Sequence, residues 1–581
     1  MTALTAASRT AALETMGTEE LDILVVGGGV TGAGIALDAA TRGLRVAVVD
    51  AQDWASGTSS RSSKLVHGGL RYLQMLDFKL VAEALAERGL LIDRIAPHLV
   101  RAVPFLYPLD KWYERPYVAA GIGLYDALAT IGTRNRQVPT HRHLSAAGVK
   151  KVFPDIKPGA CRGAVTYYDG QVDDARLVIA LVRTAAQYGA LAASRTEVVE
   201  LTKNASGRVD GAVLRDLEAD RTVTVRARSV ISATGVWTEE TQERAGSEAG
   251  LKVLASKGIH IVVPRERIQS ESGLILQTEK SVLFLIPWSR YWVIGTTDTP
   301  YKGDLTHPVA TAADIDYVIE HANTILAKPL TRDDVIGTWA GLRPLLQPGT
   351  KGDGDKASTK VSREHTVTEP TPGLVSIAGG KLTTYRVMAE DAVDFALGEA
   401  RAKELPSETG TTPLVGAAGY HAFARQAPRL AATYGWTENM TAHLLHRYGS
   451  SLTELVALVE ETPDLARPLA ETDAYLRAEI VYGVRYEGAL HLEDIMTTRT
   501  RLTYEVRDHA LAAVPEIADL MAAELGWDEA RRAAEVEAYR ARCAAEDAAA
   551  QTQDDTAAGA ARGRAGDILD DLAGAAVNTL A

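Results

Sequence analysis

Residues 21–26 read Leu-Asp-Ile-Leu-Val-Val, a short apolar run rich in branched side chains, as expected of a strand buried on both faces. A glycine-rich turn follows over 27–32, then an alanine-rich helix over 32–42 and a second strand over 45–50. From 78 to 96, Leu80, Leu85, Leu90 and Leu91 alternate with Glu83, Glu87 and Arg88 at helical spacing. The middle of the chain alternates strands and turns: 223–232 and 281–297 read as strands, the second broken by a turn at 287–290. A polar, Gly-rich loop spans 347–358. A last strand at 374–378 then leads through Gly379 and Gly380 into a helix ending near Gly398.

After a linker-like stretch at 404–413 the pattern becomes helical throughout, and Ser451 with Glu454 predicts a capping box. Beyond about 546 the chain is Ala, Asp, Gly and Thr with little to bury, and part of it is expected to be disordered.

The chain has 581 residues, too many for one core. The pattern separates an extension (1–20), a dinucleotide-binding unit that begins at 21, a helical region (401–545) and a low-complexity tail (546–581). The net charge of −13 argues against a nucleic-acid partner. Cys161 and Cys543 are the only cysteines, which fits a reducing cytoplasm. His443 and His446 share a helical face without a third ligand, so no metal site is expected. No signal peptide or transmembrane run is expected.

Gly27, Gly29 and Gly32 form G-x-G-x-x-G between a strand and a helix: a tight turn, close backbone approach to a pyrophosphate, and close helix–strand packing. The helix start offers free N–H groups to phosphates, and Asp50, ending the next strand, suits the ribose hydroxyls. Two later signals favour a flavin over a nicotinamide dinucleotide. One is the strand at 230–235 ending in Gly235; the other is Gly379-Gly380-Lys381 at a helix start, where N–H groups and a cation can stabilise a reduced ring. The loop 59–72 reads Ser-Ser-Arg-Ser-Ser-Lys-Leu-Val-His-Gly-Gly-Leu-Arg-Tyr and brings hydroxyls, glycines, a histidine and three cations near that cofactor.

This loop resembles the FAD-dependent glycerol-3-phosphate dehydrogenases, as do 171–177 (Gln-Val-Asp-Asp-Ala-Arg-Leu), 295–298, 341–345 (Gly-Leu-Arg-Pro-Leu), 379–386 (Gly-Gly-Lys-Leu-Thr-Thr-Tyr-Arg) and 491–502. The resemblance implies an α/β fold: a glutathione-reductase-like FAD-binding Rossmann domain (21–75, 150–240, 364–400), an α+β substrate cap (76–149, 241–363) and an all-α C-terminal domain (401–545). It also implies oxidation of sn-glycerol 3-phosphate to dihydroxyacetone phosphate, with electrons passed to a membrane quinone from the cytoplasmic face. A homodimer is compatible with it.

By resemblance, Arg71, Arg343 and Arg363 bind the substrate with Tyr72 beside them, and Lys381 lies by the flavin. His260 is expected to be the base, with hydride leaving for flavin N5 while Arg71 and Lys381 stabilise the oxyanion. Residues 59–64, with Thr58, Ser59, Ser63 and Lys64, are expected to line the dinucleotide, and His67, Gly68 and Gly69 to pack under the ring. The arginines and Lys381 are expected to converge on one flavin face. The aromatic segment 112–136, with basic ends, suits an interfacial membrane anchor or a helix packed on the cap. Two other readings stay open: an oxidase that passes electrons to O₂, and a redox-inactive FAD-binding interaction protein.

Overall fold

The computed structural model describes residues 3–69, 77–109, 111, 118, 121–125, 138–247, 250–279, 282–347, 365–470, 472–566 and 568–569. Two sheets organise the first 400 residues. The strand Glu20–Val26 lies between Arg221–Ser232 and Val46–Val49, parallel to both, and Leu374–Ala378 and Leu191–Ala193 extend the parallel set on either side. Leu21, Ile23, Leu24 and Val25 are all buried, as a parallel strand covered on both faces requires. The helix Val30–Thr41 carries mainly Ala and Gly on its buried side, which lets it lie close against Tyr385–Leu397; a Cβ at Gly34 would come within 2.9 Å of the Tyr385 ring.

The second sheet is the cap. Its strand Val253–Pro264 pairs antiparallel with Gly337–Leu346, Ser256 opposite Arg343 and His260 opposite Trp339. Side chains alternate along a strand, so Ser256, Gly258, His260, Trp339, Gly341 and Arg343 share one face and Lys257 points to the other. The strands Gly163–Gln171 and Leu65–Val66 also belong to this sheet. Residues 163–171 and 65–66 therefore share the cap sheet, where the resemblance implies dinucleotide domain.

One further expectation changes, and two segments carry structure that the sequence pattern does not show. Ser451 has helical backbone angles and makes no cap, because Glu454 is taken up by the buried Arg183 (3.2 Å) and Tyr482 (2.5 Å). Residues 546–566 are ordered: Glu529–Ala550 is one long helix, Asp555–Arg562 is another, and Ala549, Ala558 and Ala561 pack on Val309 of the cap. Alanines too small to form a core of their own bury well against a surface built elsewhere. The extension is a capped helix, Ala6–Thr18, whose buried Arg9 pairs with Asp216 at 2.5 Å.

Candidate active site

Gly27 ends the first strand with φ +107°, and a Cβ there would lie 2.7 Å from the carbonyl oxygen of Ala233. Only glycine permits both the turn and that approach. Gly29 precedes the helix without a side-chain cap, and Val30 N donates to Ser59 Oγ at 2.9 Å. A Cβ at Gly32 would overlap the Gly27 carbonyl oxygen, so this glycine sets helix-on-strand packing rather than touching a ligand. Asp50 accepts from Gly28 N (2.6 Å) and Gln52 N (2.7 Å); burial outweighs these bonds and raises its carboxyl pKa to about 6. On the opposite wall Gly235, Gly379 and Gly380 have φ of +58°, +82° and +79°, bringing bare backbone to the cleft.

The cleft has a volume of about 510 Å³, within the range of small-molecule and cofactor sites. Two groups of residues line it. Glu197 pairs with Arg244 and follows Thr196, whose N donates to the Asp50 carbonyl. Ser63 bonds His260, Arg343 lies near His260, and His67 bonds Thr383, two residues past Lys381. A donor-rich helix start with an acid, and a redox-type cluster in the same cleft, fit a dinucleotide that reaches across the domain, as FAD does.

In the second group, His260 is buried and its Nε2 lies 2.8 Å from Ser63 Oγ, its ring stacked on Trp339 at 5.2 Å and 21°. Burial, then the charges of Arg343 and Lys64, hold its pKa well below the usual imidazole value, so the ring is neutral. Arg343 donates to Thr296 Oγ1 and to the Thr297 carbonyl (both 3.1 Å) and is paired with Asp298 at 3.2 Å. Two glycines on the same face leave room: a Cβ at Gly258 would sit 2.5 Å from the Arg343 guanidinium, and one at Gly341 would sit 2.5 Å from the Arg61 carbonyl oxygen. Thr58 donates to the Leu342 carbonyl at 2.6 Å, tying the loop to that strand.

Gly27, Gly29, Asp50, Thr58, Ser59, Ser63, His67, Gly235, His260, Arg343, Gly380 and Lys381 thus share one cleft. Arg71, Tyr72 and Arg363 lie outside the described residues, as does most of 112–136. Lys64, Gly68 and Gly69 do not line the cleft. Lys64 turns away into Asp174 Oδ1 (2.6 Å) and the Ser60 carbonyl (2.9 Å), because its buried ammonium needs a carboxylate. Gly68 N donates to Tyr125 Oη at 2.9 Å, and a Cβ there would strike Leu85 and Tyr125. His443 and His446 are engaged separately, with Glu479 and Arg101. Arg61, within the stretch 59–64 expected to line the dinucleotide, does line the cleft, whereas Asp174 and Arg501, which hold the loop, are not singled out by the sequence although they stand in the motifs at 171–177 and 491–502.

The chain matches the FAD dependent oxidoreductase family over residues 22–386 and the C-terminal domain of alpha-glycerophosphate oxidase over 407–532. It is 49% identical over 551 residues to a glycerol-3-phosphate dehydrogenase of Mycobacterium leprae, covering 95% of this chain and 92% of the relative. It is 38% identical over 559 residues to the mitochondrial glycerol-3-phosphate dehydrogenase of Homo sapiens, covering 92% and 74%. Among solved structures, the glycerol-3-phosphate dehydrogenase from Bacillus halodurans complexed with FAD superposes with a TM-score of 0.74 at 29% identity, over 93% of this chain and 97% of that one. These matches span nearly the whole chain: it belongs to the FAD-dependent glycerol-3-phosphate dehydrogenase family, and its cofactor is FAD.

Proposed function

We propose that this protein oxidises sn-glycerol 3-phosphate to dihydroxyacetone phosphate and delivers the electrons to a membrane quinone. The observation that carries the reading is the placement of His260, hydrogen-bonded to Ser63, in the same cleft as Arg343 and Lys381. FAD bound along the glycine cradle supplies the two-electron acceptor.

The side chains divide the remaining work. Arg343 presents a planar fork suited to phosphate oxygens, and Asp298 and the Thr296 hydroxyl hold that fork in place. The C2 hydroxyl proton passes to His260 Nε2, directly or through Ser63 Oγ, as the C2 hydrogen leaves as hydride. The depressed pKa keeps His260 unprotonated and open to a proton at the cost of basicity, and a bound phosphate dianion offsets the nearby cations and restores part of that basicity. Lys381, at the start of the turn Leu382–Thr384, supplies positive charge where negative charge develops. Arg71, Tyr72 and Arg363 complete the phosphate site in this reading.

Delivery to a quinone calls for a protein bound peripherally at the cytoplasmic face of the membrane, and the aromatic segment 112–136 with its basic ends supports that placement. Among the described residues no helix is long and apolar enough to cross a membrane.

The test is anaerobic addition of glycerol 3-phosphate to the yellow holoprotein. Bleaching of the flavin, followed by reoxidation with a quinone analogue, is expected. A flavin that stays yellow would remove the substrate assignment. Reoxidation by O₂ alone, with stoichiometric peroxide, would make the protein an oxidase.

A further inference from the structure

The helical domain reaches the redox-type group of the cleft through one short segment, residues 500–504. Arg501, 2% exposed, donates to Asp173 Oδ1 (2.8 Å), Asp174 Oδ1 (2.6 Å) and the Ser60 carbonyl (3.1 Å). Asp174 is wholly buried. Its Oδ1 also accepts from Lys64 Nζ at 2.6 Å, and its Oδ2 accepts from Ser62 N (3.0 Å) and Ser62 Oγ (2.7 Å). One carboxylate therefore grips the residues on both sides of Ser63. Lys64 has φ +58°, a conformation that a side-chain-bearing residue keeps only when its surroundings enforce it.

The same segment supports the other partner of the pair. The Tyr504 ring meets Trp339 edge-on at 5.6 Å and 65°, and Trp339 stacks on His260. Trp339 Nε1 also donates to the Ser62 carbonyl at 3.3 Å, joining the two supports. Lys64 lies over the Trp339 ring at 4.9 Å. Burial, then the like charge of Arg501, pull the Lys64 pKa down to about 8 against Asp174 and Asp173, so the cluster is tightly balanced.

We propose that Arg501 is a positioning residue: through Asp174 it fixes the turn at residues 62–64, and hence the alignment of Ser63 with His260, so that the helical domain is a structural part of the redox site. The role of His260 in this inference rests on the proposed function; the bracing of the cofactor-lining loop does not. Other ion pairs from the helical domain, such as Arg183 to Glu454 at 3.2 Å, reach the dinucleotide domain without touching that loop and provide an internal control.

The full-length holoproteins R501M, R501K and E454Q separate bracing from plain stability. In R501M, kcat with glycerol 3-phosphate is expected to fall about 30-fold with KM within about threefold, since small misalignment of a proton acceptor is costly. Its visible flavin circular dichroism should change and its FAD dissociate faster. R501K, which keeps a donor to Asp174, should recover most of kcat and the parent dichroism. E454Q should lower the thermal midpoint while leaving kcat and the flavin signal alone. An R501M that merely loses thermal stability, as E454Q does, would overturn the proposal. If R501M does not fold, S62A removes one hydroxyl bond to Asp174 and should shift the flavin dichroism and lower kcat in the same direction; no change in either would overturn it. If the parent protein fails to bleach with glycerol 3-phosphate, the proposed function falls, and the dichroism and FAD dissociation of the variants still decide the brace.

Discussion

Lys257 and Asp555, 298 residues apart in the chain, form an ion pair on the face of the cap strand opposite His260. Lys257 is 1% exposed and also bonds Asp314 at 2.6 Å, so the helix Asp555–Arg562 begins against a buried cation. A truncation after residue 551 leaves that ammonium one carboxylate short and uncovers the apolar contact at Val309. We expect D555N to lose about 1.5 kcal/mol, the lower end for a hydrogen bond to a charged group because Asp555 is partly exposed, and the truncation to lose more. Calorimetry of both proteins checks this; unchanged midpoints would show that the tail is only laid on the surface.

The glycine cradle is testable without substrate. Gly27 has φ +107° and no room for a Cβ, whereas Gly43 has φ +78° with nothing within 4 Å. G27A should purify colourless, having lost FAD. G43A should stay yellow and lose about 1 kcal/mol of stability from backbone strain alone. Retention of flavin by G27A would place the pyrophosphate elsewhere.

His491 is wholly buried between Glu218 (2.7 Å from Nε2) and Glu535 (2.9 Å from Nδ1). Burial pulls its pKa down, but the two carboxylates outweigh burial and hold it at about 9. The folded state thus keeps a proton that the unfolded chain releases near pH 6.5. This stabilisation is complete below pH 6.5 and is lost as pH rises through 9. Denaturant midpoints measured from pH 6 to 10 should fall for the parent protein and fall less for H491Q.

His98 and His446 have the opposite sign. Burial, then Arg176 for the first and Arg101 for the second, depress their pKa values to about 3 and about 4. The unfolded chain takes up protons near pH 6.5 that the native state refuses, so stability falls as pH drops from 6.5 towards 4. An H446Q variant should show a shallower acid limb, read by the same titration.

Arg343 tests the phosphate site. R343K keeps the charge but loses the planar fork and the bonds to Thr296 and Thr297. We expect kcat/KM for glycerol 3-phosphate to fall about 10²-fold, mostly through KM, as expected where ground-state binding is lost. A loss confined to kcat would instead place Arg343 at the developing carbonyl oxygen.

Much of the dinucleotide site is legible from short stretches of chain. The strand at Glu20–Val26, the glycines at 27, 29 and 32, and Asp50 form one local unit. A positive φ, an uncapped helix start and an apolar run each constrain only a few neighbouring residues, so periodicity and residue type are enough to place them. His260 and Arg343 needed the resemblance as well, because nothing local distinguishes a catalytic histidine from one buried in a strand.

Tertiary structure alone decided the partners of the buried charges. Lys64 stands in the loop most specific to the family, yet it turns from the cofactor to Asp174, and Asp174 is held in turn by Arg501, 327 residues further along. Glu454 gives up a local cap for Arg183, and Asp555 leaves an otherwise featureless tail for Lys257. A buried charge must find a counter-charge wherever packing brings one near. Local conformation is written into adjacent residues, and pairing is settled only when distant parts of the chain are folded together.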